Sequence, residues 1–314
     1  MKRALVIGCG GQDGYYLGIH LKRLGYQVNG LARDGLYNNG KLNGTAVDIC
    51  DVKAVANLVA SLQPDEIYHL AAHHHSSDQD TGEQEKLFRM SFATHADALL
   101  ALLEAMRINA PRARLFYAAS ALIFGSPDHS PQTEETPVSP DCVYGITKAA
   151  GMHLCRYYRQ VHGLFCATGI LYNHESPRRH SSFVSRRIVQ TALAIAKGKL
   201  DKLELGDPDA VIDWGYAPDY VDAMHRIMLL DTADDFIVAS SKPRRLLEFI
   251  DAVFATLDIS SIGRIHKDPS RLVRVRYGEP LIGDNSKLVN ATAWQPRHSL
   301  EDVARTMVEA EKVL

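Results

Sequence analysis

Tyr144-Gly-Ile-Thr-Lys148 sets a phenol and an ammonium four residues apart, a spacing that puts both side chains on one face of a helix. A neighbouring ammonium favours the ionised phenol and draws its pKa towards the range useful for proton transfer. A YxxxK pair by itself is common and is usually two surface residues. It gains weight here from Ser120, which stands just after the apolar run Arg114 to Ala118. A hydroxyl at that point hydrogen-bonds a substrate oxygen while Tyr144 moves its proton and a nicotinamide exchanges hydride. Ser120, Tyr144 and Lys148 are the candidate catalytic residues.

Such chemistry needs a dinucleotide. The chain opens with Arg3-Ala-Leu-Val-Ile-Gly-Cys-Gly-Gly-Gln-Asp-Gly14: a strand, a glycine turn and a helix start. The GxGxxG spacing fails at Asp13, but GxxGxxG fits with Gly8, Gly11 and Gly14. Small residues let the backbone approach a pyrophosphate, and the helix N-terminus offers it free N–H groups. The end of the second strand reads the adenosine ribose. A carboxylate there accepts from a 2′-hydroxyl, and an arginine accommodates a 2′-phosphate. Val28-Asn-Gly-Leu-Ala-Arg33-Asp34 presents Arg33 first, which favours NADP; Asp34 follows at once and leaves NAD possible.

These residues need a scaffold that gathers strand ends. Strands are expected over Ala4 to Ile7, Gln27 to Leu31, Glu66 to Ala71, Arg114 to Ala118 and Phe165 to Leu171. Helices are expected over about Tyr15 to Leu24, Val52 to Leu62, Glu85 to Arg107 and Val143 to Val161. The alternation predicts an α/β fold with a doubly wound, parallel, Rossmann-type sheet, binding ligands outside the carboxyl ends of its strands. Residues 1–173 are expected to form the dinucleotide-binding domain. Residues 174–314 are expected to form mainly a smaller C-terminal substrate-binding lobe, with some segments returning to the sheet.

Composition sets the outer limits. The chain has 314 residues, 46% of them hydrophobic and 23% charged, enough for a large core. A net charge of −2 argues against a nucleic-acid partner, because phosphate affinity comes from clustered Lys and Arg. No apolar stretch approaches the ~20 residues of a membrane span, and no secretory leader is expected. Five scattered cysteines without a CxxC pair suggest neither zinc nor disulfides, and a reduced, cytoplasmic protein. His73, His74 and His75 are the metal suspects. Adjacent residues at a strand end point in different directions, so no metal is expected.

The glycine loop, Ser120 and YxxxK in this order and spacing resemble the extended short-chain dehydrogenase/reductases. Gly11-Gln-Asp-Gly-Tyr-Tyr-Leu17, Gly169-Ile-Leu-Tyr-Asn-His-Glu-Ser-Pro-Arg178, Asp213-Trp-Gly215 and Asp219-Tyr-Val221 narrow this. Together they resemble the GDP-mannose 4,6-dehydratase family over nearly the whole chain. The resemblance implies an NADP-dependent enzyme that removes hydride from carbon 4 of a GDP-hexose, assembled as a homodimer or homotetramer. It implies Gln12, Asp13, Asp48, Ile49, Leu70, Ala71 and Ala72 as further cofactor residues. It implies Asn173, Val184, Arg187 (where the family usually has Lys), Arg276 and Glu279 against the sugar nucleotide, and His74, past the strand beside the cofactor, is a further candidate substrate contact. The basic residues from Arg178 to Arg187, with Arg276, are expected to gather around its diphosphate.

The pattern breaks in two places. The family has Thr-Ser-Glu where this chain reads Ser120-Ala121-Leu122. In the family that Glu takes the proton from carbon 5 and helps expel water across carbons 5 and 6. Leu122 cannot, while the carbon-4 machinery stays intact. Carbon-4 reduction or epimerisation is therefore favoured over dehydration, and Ser120, Ala121, Phe124 and Gly125 also resemble nucleotide-sugar 4-epimerases and 4-reductases. The second break is Val211-Ile212, where the family has Lys-Arg, which removes a nucleotide contact. The alternative is a dehydratase in which His74 or Cys142 carries the proton, since an imidazole works near neutral pH. His75 matches a family His, whereas His73 and His74 replace the usual Gln-Ser. A non-catalytic nucleotide-sugar sensor is the third reading, but it has no need for Ser120, Tyr144 and Lys148. Glu134 and Glu135, in a Pro-rich loop, are expected to be solvated.

Overall fold

The computed structural model describes residues 1–44, 46–73, 84–271 and 278–313. In chain order, β1 (Arg3–Ile7), α1 (Gln12–Arg23) and β2 (Gln27–Ala32) form the first unit. A hairpin of β3 (Gly35–Asn38) and β4 (Lys41–Gly44) leads to α2 (Val52–Leu62) and β5 (Glu66–His69). Helix α3 (Gln84–Phe92), a π-helical turn (Ala93–Asp97) and α4 (Ala98–Asn109) run on to β6 (Arg114–Ser120). A 3-10 turn (Ala121–Phe124), α5 (Val143–His162) and β7 (Phe165–Leu171) come next. Beyond lie β8 (His174–Glu175), α6 (Val184–Ala196), β9 (Leu203–Leu205), β10 (Val211–Asp213), β11 (Gly215–Tyr216) and α7 (Ala217–Ile227). The chain ends with β12 (Asp235–Val238), β13 (Pro243–Arg245), α8 (Leu246–Ala255), β14 (Ile265–Lys267), α9 (Ser286–Thr292) and α10 (Leu300–Lys312).

The main sheet has the order β12-β7-β6-β5-β1-β2-β3-β4. From β12 to β2 every neighbour pairs in parallel, and β3 and β4 add an antiparallel edge. This is the expected α/β architecture, and the apolar strands are buried on both faces as parallel sheets require. Leu5, Ile67 and Leu115 face one helical layer, with Val59, Leu103 and Met152. Val6, Tyr68 and Phe116 face the other, with Leu17, Leu21 and Met224. A third apolar cluster joins α6, α8 and α10 through Val189, Phe249 and Met307, away from the sheet.

Three details depart from the sequence reading. The long helix expected over Glu85 to Arg107 contains the π-helical turn. The antiparallel β3–β4 hairpin and helix α9 were not anticipated, the strands being four residues each and the helix seven, too short for a periodic signal, whereas β12 is one of the C-terminal segments expected to return to the sheet. Glu134 is not simply solvated: it is partly buried, and its Oε1 accepts the N–H of Ile237 at 2.8 Å, covering a backbone donor of the edge strand. Among the described residues, no helix is long and apolar enough to cross a membrane.

His69, at the end of β5, is fully buried, and neither ring nitrogen has a hydrogen-bond partner among the described residues. Burial, helped by the Lys148 charge, drives its pKa down to about 3 from an ordinary 6.5. The unfolded chain therefore binds a proton between these values that the folded chain refuses, so stability falls as pH drops from about 6.5 towards 3. His69→Leu is expected to flatten this acid limb in urea melts taken at several pH values. An unchanged limb would mean that other groups set the acid sensitivity.

Candidate active site

The carboxyl ends of β1, β5, β6 and β7 lie side by side: Ile7 pairs with His69, His69 with Tyr117, and Ser120 with Leu171. The order reverses between β1 and β5, the crevice where such sheets bind ligands. Gly8 turns there with φ +91°, and a Cβ on it would stand 2.7 Å from Ala71 N. A Cβ on Gly14 would meet Gly8 O at 2.2 Å. Both glycines are thus fixed by close backbone approach. Gly11 begins α1 with no side-chain cap, so the first amide groups of that helix remain for a ligand. This cradle suits a dinucleotide pyrophosphate.

The other proposed cofactor positions fall into two groups. Leu70, Ala71 and Ala72 continue β5 beside Gly8. Arg33 is exposed just past β2, while the neighbouring Asp34 carboxylate accepts the Tyr37 hydroxyl at 2.6 Å. Asp48 is exposed and accepts Cys50 N–H at 2.9 Å; Ile49 packs on the core. Gln12 and Asp13 do a different job with their side chains. Gln12 bonds His174 O at 3.1 Å and accepts Ser176 Oγ–H at 2.7 Å, and Asp13 meets His174 Nε2 at 3.0 Å. Burial opposes the Asp13 charge, but His174 outweighs it and holds the carboxyl below its ordinary pKa. The two residues tie the glycine turn to the segment after β7.

The candidate catalytic residues are carried by β6 and α5. Ser120 ends β6, and its Oγ accepts Leu122 N–H at 3.3 Å, capping the 3-10 turn. Gly145 lies so close that a Cβ there would come within 2.3 Å of Leu122 O, so this turn abuts the first turn of α5. Cys142 caps α5, its Sγ accepting Gly145 N–H at 3.4 Å. Lys148 is buried and its Nζ donates to Ala118 O at 2.7 Å while lying 5.6 Å from the Tyr144 ring centre.

The expected drop in the Tyr144 pKa is not what the protein alone produces. Burial pushes the phenol up, with Arg179 opposing it, and burial drives Lys148 down to about 7. Arg179 is a residue the sequence reading did not single out. Its Nε sits 3.2 Å from Glu175 Oε2 and its guanidinium 3.6 Å from the Phe183 ring centre.

The proposed substrate positions are more dispersed. Asn173 is exposed after β7, with its carbonyl accepting Gly215 N–H at 2.8 Å. Val184 begins α6, and Arg187 lies one turn on. The arginine run divides: Arg178 stacks on Tyr15 at 4.0 Å, while Arg186 pairs with Glu311. Glu279 is exposed and lines a cavity of about 490 Å³ together with Val211, Ser130 and Ser241. His74, His75 and Arg276 lie outside the described residues.

The remaining motifs hold the architecture. Asp213 accepts from Ser240 N–H and Oγ–H, Ser241 N–H and Gly283 N–H. Asp219 accepts the N–H groups of Arg297 and His298. Trp214 stacks on Phe249 at 4.8 Å.

A fold and a site of this kind have relatives. The family model described as GDP-mannose 4,6 dehydratase matches residues 5–307. GDP-mannose 4,6 dehydratase 1 of Arabidopsis thaliana is 34% identical, covering 99% of this chain and 90% of that protein. GDP-mannose 4,6 dehydratase 2 of Caenorhabditis elegans is 32% identical, covering 100% and 90%. Among solved structures, RMD from Pseudomonas aeruginosa complexed with NADPH aligns over 100% of this chain and 99% of its own, with TM-score 0.84 and 21% identity. Thermus thermophilus UDP-glucose 4-epimerase complexed with NAD aligns over 99% of both chains, with TM-score 0.81 and 21% identity. The chain belongs to the GDP-mannose 4,6-dehydratase family.

Proposed function

We propose that this protein is an NADP(H)-dependent enzyme that transfers hydride at carbon 4 of a GDP-hexose, as a 4-reductase or 4-epimerase, without 4,6-dehydration. The observation that carries this is Leu122. It stands in the turn capped by Ser120 that abuts Gly145 at the start of α5, and it brings no proton-carrying group to the place where the resemblance expects a carboxylate. In this reading Ser120 and Tyr144 bind the carbon-4 oxygen. Tyr144 takes its proton when the carbinol is oxidised and returns one when the ketone is reduced. Lys148, once protonated, favours the tyrosinate. The glycine cradle and the α1 amides hold the dinucleotide, which when bound accepts or supplies the hydride. Val211 and Glu279 line one cavity, a candidate nucleotide subsite of weaker charge than the family pattern. Dehydration with a substitute acid or base is the second reading, favoured by the named activity of the curated relatives. Cys142, one candidate for that role, has its sulfur engaged in capping α5.

Two-domain division at about residue 173 belongs to the same reading. So does a reducing cytoplasmic setting, supported by five free cysteines. Self-association is supported by exposed Leu100 and Ile108 on α4 and Tyr157 and Val161 on α5. The direct test is to supply a 4-keto GDP-hexose with NADPH, and separately GDP-mannose with NADP⁺, and read the configuration at carbon 4 by NMR. NADPH oxidation in the first, or inversion at carbon 4 in the second, supports the reading; neither would refute it.

Cofactor choice has its own test. A guanidinium on a 2′-phosphate makes charge-assisted hydrogen bonds of about 1.5–3 kcal/mol, so Arg33→Ala is expected to raise KM for NADP by about 10–100-fold and KM for NAD by under about threefold. Equal rises would show that Arg33 does not read the phosphate.

A further inference from the structure

His95 is fully buried in the π-helical turn between α3 and α4. The turn holds one residue more than an α-helix: the N–H of Ala98 reaches back to Ala93 O. Such turns often sit at functional sites, and one extra residue rotates the helix beyond it by roughly 100°. The neighbouring helix comes close. A Cβ on Gly151 of α5 would lie 2.8 Å from His95 O and 2.2 Å from the Tyr117 hydroxyl.

Described residues engage the imidazole at both ring nitrogens and through the ring itself. Its Nε2 accepts the backbone N–H of His73, past the end of β5, at 3.0 Å. Its Nδ1 lies 2.8 Å from Thr147 Oγ1. Its ring meets that of Tyr144 edge-on, with centroids 5.2 Å apart and planes at 82°. The protons are fixed by the partners. A backbone N–H only donates, so Nε2 carries no hydrogen. The ring proton is then on Nδ1 and goes to Thr147 Oγ1, whose own hydrogen goes to the carbonyl of Val143 at 3.0 Å or of Tyr144 at 3.1 Å.

We propose that His95 is a positioning residue: a neutral imidazole in its Nδ1–H form that locks the end of β5 to the first turns of α5 and thereby sets the Tyr144 ring against the cofactor strand. The proposal rests on the reading of Tyr144 as the proton carrier. Strand β5 runs into Leu70, Ala71 and Ala72 beside the glycine cradle, and α5 carries Tyr144 and Lys148. Hydride and proton must move between groups held by these two elements, and a misplacement of about 1 Å can cost on the order of 10²-fold in rate.

The test uses the full chain with NADP⁺ and GDP-mannose. His95→Ala is expected to lower kcat by about 100-fold with both KM values within about threefold, since positioning and not ground-state binding is lost. His95→Gln, whose side-chain carbonyl still accepts from His73 N–H, is expected to restore kcat to within about tenfold of the parent. A wild-type kcat in His95→Ala, or no rescue by Gln, overturns the proposal. Proton-detected ¹⁵N spectra of the NADP⁺-loaded protein, with His95→Gln assigning the signal, need no turnover: a proton on Nδ1 is expected, and a proton on Nε2 overturns the proposal. Tyr144→Phe run alongside separates the two ideas. Full activity in Tyr144→Phe removes the reading of the site, whereas an inactive Tyr144→Phe beside an unaffected His95→Ala removes only the role of His95.

Discussion

Tyr144→Phe is expected to lower kcat for carbon-4 hydride transfer by about 10²–10⁴-fold, the range a positioned general acid or base contributes. The substitution takes away one hydroxyl and leaves the ring, so the edge-on contact with His95 and the position of Lys148 over the ring survive. Cofactor binding and thermal stability should therefore change little. The pH profile carries a second signature. Burial raises the Tyr144 pKa and lowers that of Lys148 to about 7, so the protein by itself favours the neutral pair. Oxidation needs the phenolate, and the rate of the parent enzyme should rise with pH as Tyr144 gives up its proton. That rise should be absent from the residual activity of Tyr144→Phe. Steady-state rates followed by nicotinamide absorbance check both points, and a variant with near-parental kcat would exclude Tyr144 as the proton carrier.

Leu122→Glu is the second large change. Leu122 is only partly buried, packed against the core beside the Ser120 cap, so a carboxylate there need not be fully desolvated. The Leu122 backbone abuts Gly145, the residue after Tyr144, so the variant tests whether a carboxylate on this turn can serve the site. After oxidation at carbon 4, the proton on carbon 5 is acidified by the adjacent ketone, and a carboxylate could take it and pass it to the carbon-6 hydroxyl, which leaves as water as the bond between carbons 5 and 6 becomes double. The variant is expected to gain dehydration at a rate at least about 10²-fold above the parent, the lower end of what general acid–base catalysis supplies. Leu122→Gln, similar in shape but unable to carry the proton, should gain nothing. Mass spectrometry of the sugar product distinguishes the two. A Glu variant that still yields no dehydrated sugar would mean that the block lies elsewhere in the site.

The glycine turn and the helix carrying Tyr144 and Lys148 were legible because their constraints are local. Gly8 and Gly14 are demanded by backbone contacts of under 3 Å, and such demands leave glycines at fixed spacing. The i, i+4 placement of Tyr144 and Lys148 needs only one helix. The parallel sheet was readable from apolar runs long enough to show their period. What stayed hidden depends on contacts distant in sequence. Asp13 stands in the glycine turn, and its side chain meets His174, which no spacing rule links to it. Glu134 covers a backbone donor of Ile237, 103 residues away in the chain. His95 lay inside an amphipathic helix, where a histidine carries no sign that the helix bulges around it. The arginines after β7 were readable as a positive cluster, but not which of them Glu175 and Glu311 would engage.

The central claim is that this member of the family moves hydride at carbon 4 but does not dehydrate. The most direct measurement is the mass of the nucleotide sugar after many turnovers of the parent protein with GDP-mannose and catalytic NADP⁺. The account predicts that no product lighter than the substrate by one water forms. Accumulation of that lighter product, without net reduction of the cofactor, would contradict it.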